Sequence, residues 1–126
     1  MSKQLTPEAF FDSLSLAHKL DSFLDGFRIE DLHLFSYFSA FLYTYAGNSI
    51  GTWPHKYIVA NRYPFPESLN EAIVRHLQNG LFEDEGSYFK ISTRGSIEFD
   101  KFKDLPTFVE REKLLVAACT TSVSNL

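Results

Sequence analysis

Apolar residues along this chain recur at helical spacing more often than they alternate. Thr6, Pro7 and Glu8 read as an N-cap, a first-position proline and a first-turn acid. Behind them Phe10, Leu14 and Ala17 form one apolar stripe, and Leu16, Leu20 and Phe23 form another beside it. This spacing predicts a helix over about 7–25, closed by Gly26. A second helix is predicted from Ile29 to Ala46, with Glu30 and Asp31 in the turn where the helix dipole favours anions. Leu34, Phe35, Phe38, Phe41, Leu42 and Tyr45 share one face, which the pattern marks as the buried one. Ser36, Ser39 and Ala40 put small side chains on adjoining faces, where another helix can approach closely. Gly47 ends this helix.

From Thr52 to Pro66 two readings stand side by side. Thr52 caps a short helix starting at Trp53, or the β-branched pair Ile58-Val59 belongs to a strand. The two prolines of "NRYPFPES" then disfavour helix. Ser68 and Glu71 have capping-box spacing and open a helix whose core face is Leu69, Ala72, Ile73 and Leu77, with Gly80 just past its end. Asp84-Glu85-Gly86 sits between two short apolar-containing runs, a hairpin signal. Thr93 is the expected cap of a helix through Ile97, Phe99 and Phe102. Thr107 and Glu110 are a second capping box, for a last helix over about 107–119, and the tail from Thr120 is expected to fray or tuck against a partner. There is no internal repeat.

Composition narrows the picture. The chain has 126 residues, enough for one domain with a core, and 13 phenylalanines, more rings than so small an interior readily takes up. Some are expected to face a partner. The formal net charge of −4 argues against a free-standing reader of duplex DNA, which needs a basic face. One cysteine, Cys119, excludes an intramolecular disulfide and a four-cysteine zinc site. With no apolar leader and no membrane-spanning run, the expectation is a cytoplasmic protein.

The ordered set of helix, Gly80-Leu81, acidic turn and Tyr88-Phe89-Lys90-Ile91-Ser92-Thr93-Arg94-Gly95 resembles the winged helix-turn-helix superfamily, above all regulators of the MarR and PadR type. Gly80, Leu81, Tyr88, Ile91, Thr93 and Gly95 fall where that segment joins recognition helix, wing and following helix. The resemblance implies a mainly α (α+β) fold: a single winged-helix domain over 1–126, its core about 30–103, with flanking helices and a short β-hairpin wing. A looser resemblance runs through Tyr37, Phe41-Leu42, Trp53, Tyr57, Pro64-Phe65-Pro66 and Asn70-Glu71-Ala72 to Glu110-Arg111 and Ala117-Ala118-Cys119. This arrangement looks like small middle components of bacterial three-component systems built around an SMC-like ABC ATPase, some of them in anti-phage defence. It implies a non-catalytic subunit that bridges the ATPase to an effector nuclease.

Residue chemistry points the same way. The wing tip Glu83-Asp84-Glu85 carries carboxylates where such regulators present cations to phosphate. It reads as a solvated turn, or as a docking point for a basic partner, including an antitoxin-like fit into a basic nuclease groove. Interface anchors are expected among Phe10, Phe11, Trp53, Tyr63, Phe65 and Phe108. The alternative, a dimeric DNA-binding regulator paired through its first and last helices, would use Arg75, Gln78, Lys90 and Arg94. Trp53, His55, Lys56 and Arg62 interleave a ring with cations, as a single-strand contact does, unless Trp53 and Tyr57 simply pack in the core. His18, His33, His55 and His76 stand apart in sequence without metal-ligand spacing, His76 reads as a structural histidine, and Cys119 as an inert buried thiol. No enzyme activity, cofactor or metal is expected.

Overall fold

The computed structural model describes the backbone of residues 6–60 and 63–124, and the side chains among these except at positions 50, 59–60, 63–65 and 121–124. Its architecture is mainly helical. In chain order come α1 (Pro7–Leu24), α2 (Ile29–Tyr45), a 3-10 turn (Ile50–Thr52), β1 (Tyr57–Ala60), β2 (Tyr63–Pro66), α3 (Glu67–Gln78), β3 (Phe82–Asp84), β4 (Phe89–Ile91), α4 (Thr93–Phe102) and α5 (Pro106–Ser124). The strands form two separate antiparallel hairpins, β1–β2 and β3–β4. Among the described residues no helix is long and apolar enough to cross a membrane.

Helix α1 is the axle. Thr6 accepts a hydrogen bond from the Ala9 N–H at 3.1 Å, as its cap sequence predicts. Of the two predicted stripes, Leu14, Ala17, Leu16 and Leu20 are buried and Phe10 is half-buried, and the polar positions Asp12, Ser13 and Ser15 between them are buried too, because α5, α3, α4 and α2 all pack around this helix. Between Ala9 and Leu20 most of this helix is enclosed by its own chain, while its last turn, with Phe23 and Leu24, stays exposed. Asp25, at φ +56°, and Gly26, at φ +135°, turn the chain out of α1, and Phe27 then pairs with Phe89 through two backbone hydrogen bonds of 2.8 and 2.7 Å. The second hairpin is thereby stitched to the α1–α2 junction.

Helix α2 starts at Ile29 as predicted, ends at Tyr45, one residue before the predicted Ala46, and has an unpredicted orientation. Phe35 is buried, but Leu34, Phe41 and Tyr45 are exposed, Tyr45 almost fully at 92%. The face turned inward is Leu32, His33, Phe35, Ser36, Ser39 and Ala40. The reason is steric: α5 packs along α2, and small side chains let two helices approach where rings would hold them apart. The buried hydroxyls are satisfied locally, Ser39 donating to the Phe35 carbonyl at 2.8 Å and Ser36 meeting the Tyr57 hydroxyl at 2.6 Å.

Of the two readings for 52–66, the strand holds: Ile58 lies in β1, paired with Phe65 of β2 in register. Helix α3 starts at Glu67, one residue before the expected cap, with Pro66 at the N-cap and no side-chain cap bond. Pro66 has no N–H to lose, and the strand ending there delivers the chain straight into the first turn. Helix α4 is capped by Ser92, not Thr93, the Ser92 hydroxyl accepting from Gly95 N at 3.0 Å. Helix α5 begins at Pro106, ahead of the expected Thr107 cap, and continues to Ser124 rather than ending near Cys119. The core gathers Phe11, Leu14, Leu16, Leu20, Phe27, Phe99 and Leu115 around α1.

Candidate functional site

A buried polar hub joins four parts of the chain. Asp12 of α1, fully buried, accepts from Arg111 Nε of α5 at 3.0 Å and from Arg111 Nη2 as well. His55, in the loop before β1, faces the same carboxylate with Nε2 at 2.6 Å. Its Nδ1 lies 3.2 Å from the Ser68 hydroxyl in the first turn of α3. The Arg111 guanidinium also sits over the Trp53 ring, 4.9 Å from its centroid. Helical spacing alone cannot reveal this cluster, since Asp12 and Arg111 are 99 residues apart. The one available signal was an acid on the apolar side of α1.

The order Ser68, His55, Asp12 is that of a proton relay, with a carboxylate orienting an imidazole toward a hydroxyl. Arg111 changes its chemistry. Its fork already engages both Asp12 oxygens, so the carboxylate that faces His55 is shared between two elements of the fold. What the geometry performs well is clamping: it ties α1, the loop before β1, α3 and α5 at one point.

Two other histidines are built into the packing. His76 is fully buried, its Nε2 2.7 Å from the Ser13 hydroxyl and 3.3 Å from the Phe10 carbonyl oxygen. Because that carbonyl only accepts, Nε2 carries the proton; Nδ1 has no hydrogen-bond partner. Burial holds its pKa down at about 4, the Phe10 carbonyl opposing. His18 stacks on Phe99 with centroids 4.6 Å apart, and its pKa is lowered by burial first and by Lys19 next. Burial pushes the Cys119 thiol up to about 12, the condition of an inert sulfur.

The expected interface anchors divide. Phe11 is 1% exposed, stacked between Phe99 and Phe108, and Phe108 is itself buried. Trp53 is buried too, its indole N–H donating to the Tyr57 hydroxyl at 3.0 Å. These three are core residues, because α5 folds back over α1 and the loop before β1. His55, which the single-strand reading groups with Trp53, is buried as well. Phe10 stays half-buried and lines a cleft of about 300 Å³ with Phe11, Phe102 and Phe108. The side chains of Tyr63 and Phe65 lie outside the described residues, as does Arg62.

On the α3 side, Arg75 and Gln78 are both exposed. Lys90 is engaged, at 2.5 Å from Asp25 and 3.7 Å from Asp21, and Arg94 donates to the Asn79 carbonyl at 3.1 Å. The hydrogen bond to Lys90 lowers the Asp25 pKa and raises that of Lys90 in turn. Glu83, Asp84 and Glu85 are exposed as expected, at the β3–β4 hairpin.

Exposed aromatic surface lies elsewhere, where the α2 pattern misled. Tyr37 packs on Phe41 and on Tyr57, with centroids 4.6 and 5.1 Å apart. With Trp53, His55 and Lys56 these rings line an open groove of about 640 Å³ between α2 and β1. Among the described residues no group of three or more His, Cys, Asp or Glu side chains is placed to hold a metal ion. No known protein family, curated protein or solved structure matches the chain.

Proposed function

We propose that this chain is a non-catalytic interaction subunit of a larger assembly, seated on its partner through the ringed side of α2. One observation carries the reading. Phe41 is 56% exposed and Tyr45 92%, beside a groove floored by Tyr37 and Tyr57, while the polar cluster that resembles a relay is spent on holding helices together. Aromatic anchors beside a preformed groove are what interface hot spots are made of.

The finer assignment, a winged helix-turn-helix, rests on the order α3, β3–β4 hairpin, α4, which follows the resembling segment from Gly80 to Gly95. It departs from that pattern between α2 and α3, where the chain makes the β1–β2 hairpin instead of a second helix. The looser resemblance to small middle components of SMC-like ATPase systems supplies the class of partner: a larger ATPase, an effector nuclease, or both.

The test is a nuclease-treated pull-down from the native host, read by native mass spectrometry, comparing the chain with its Phe41→Ser/Tyr45→Ser variant. Both side chains are exposed, so the variant should keep its stability within about 0.5 kcal/mol. A stoichiometric larger protein lost by the variant supports the reading. Recovery of the chain alone, or equal capture by both forms, overturns it.

A further inference from the structure

At the opposite end of α2 from Tyr45, the end of α1 and the β3–β4 hairpin bound a cleft of about 440 Å³, lined by Leu24, Phe27, Arg28 and Tyr88 together with Asp25 and Asp31. Phe27 is buried, but two of the other lining side chains are open, Leu24 at 44% and Tyr88 at 40%, and Phe23, beside Leu24 at the end of α1, is 46% exposed. The Tyr88 ring lies flush on Gly26, where an added Cβ would come within 2.6 Å of Tyr88 Cδ2. The glycine therefore serves to seat this ring.

The charges around the cleft are one-sided. Lys90 stands opposite Glu83 in the hairpin register but turns to Asp25 and Asp21 instead. Arg28 is taken by Glu30 and Asp31. Glu83, Asp84 and Glu85 stay exposed without a salt-bridging cation among the described residues, and the Glu85 N–H bonds the Tyr88 carbonyl at 2.9 Å, which brings this acidic tip beside the cleft. Both nearby cations are thus matched internally, and the surplus is negative.

We infer that this cleft docks a partner polypeptide segment carrying lysines or arginines on either side of an apolar side chain. The apolar side chain enters against Leu24 and Tyr88, and the cations meet the hairpin carboxylates and the face of the Tyr88 ring. Nucleic acid and anionic lipid are repelled by the same carboxylates, and a second copy of this chain would bring its own acids against them. The surface is separate from the α2 groove, about 20 Å away along the helix axis, so it is a second contact beyond the one proposed above.

The experiment uses the full chain, isotope-labelled, with three synthetic peptides: one of alternating lysine and leucine, one with glutamate for lysine, one with serine for leucine. The lysine–leucine peptide should move the amide signals of Leu24, Gly26, Arg28 and Tyr88 at low salt. Its affinity should fall about tenfold at about 0.2 M salt, where exposed charges are screened. It should fall by a similar factor in the triple variant Glu83→Gln/Asp84→Asn/Glu85→Gln. The new amide at position 84 keeps an acceptor oxygen for the Gly86 N–H, which Asp84 accepts at 2.8 Å in the parent. The serine peptide should bind more weakly than the leucine one. Equal binding of the glutamate peptide, shifts confined to other residues, or no shift at millimolar peptide would each overturn the inference. None of these outcomes touches the α2 reading, which is decided by capture of a partner through Phe41 and Tyr45.

Discussion

At Gly95 a hydrogen atom stands where any side chain would collide. A Cβ there would press on the Leu81 carbonyl oxygen and come within 2.7 Å of Ile91 Cγ1. Gly95→Ala should therefore lower stability by about 1–3 kcal/mol, an overpacking cost, measured by urea unfolding; a loss below a few tenths would show that the hairpin can yield. His76 makes a prediction about pH. In the folded chain its imidazole stays neutral down to about pH 4, while the unfolded chain protonates it near the ordinary 6.5. Between those values the unfolded state binds more protons, so stability is lost as pH falls from about 6.5 toward 4. The loss can reach about 3 kcal/mol. His18 and His33, their pKa values also lowered chiefly by burial, push in the same direction. Urea unfolding at pH 7.5 and 5 should show this slope, and His76→Gln should flatten it while lowering the starting stability. Identical slopes in the two chains would sink the assignment.

Among elements, α5 depends on the hub more than on its sequence alone. Its one deep polar anchor among the described residues is Arg111 on Asp12, and the carboxylate is shared with His55. Asp12→Ala strands a guanidinium and an imidazole in the interior, which should cost about 3–5 kcal/mol. Thermal unfolding measures the loss, and hydrogen exchange should report early opening in α5. Replacing Asp12, His55 and Arg111 together by leucine, leucine and methionine should recover most of it, since apolar substitutes leave no orphaned charge. A single mutant as stable as the parent would mean the cluster is solvated and the clamp is not one. Helix α2 teaches the complementary lesson. Its sequence is apolar nearly all round, so periodicity marks a helix but cannot choose its buried face, and the small residues won because α5 had to come close.

Over the whole molecule the charge argument becomes an expectation about duplex DNA. The net charge is −4, and of the four residues a DNA-reading alternative would use, Lys90 and Arg94 are already held by other parts of the chain. Only Arg75 and Gln78 remain uncommitted to these contacts. The chain should give no mobility shift with labelled duplex even at about 20 mM salt, where phosphate contacts are strongest. A salt-sensitive shift weakened by Arg75→Ala would favour the regulator instead.

Much of this was legible in the order of residues. Thr6 and Pro7 start α1, Asp84-Glu85-Gly86 turns the second hairpin, and Leu69, Ala72 and Ile73 line the inner face of α3, because caps, turns and amphipathic stripes act through neighbours a few positions apart. The misplaced starts of α3, α4 and α5 came from the same local signals, each overruled by the chain that leads into the helix. Three-dimensional packing alone decided which side of α2 is buried, that Trp53, Phe11 and Phe108 are core, and that Asp12, His55, Ser68 and Arg111 meet. Those outcomes depend on which helix comes to lie against which, a choice made by close approach and by the need to pair every buried charge, between residues that sequence spacing leaves far apart.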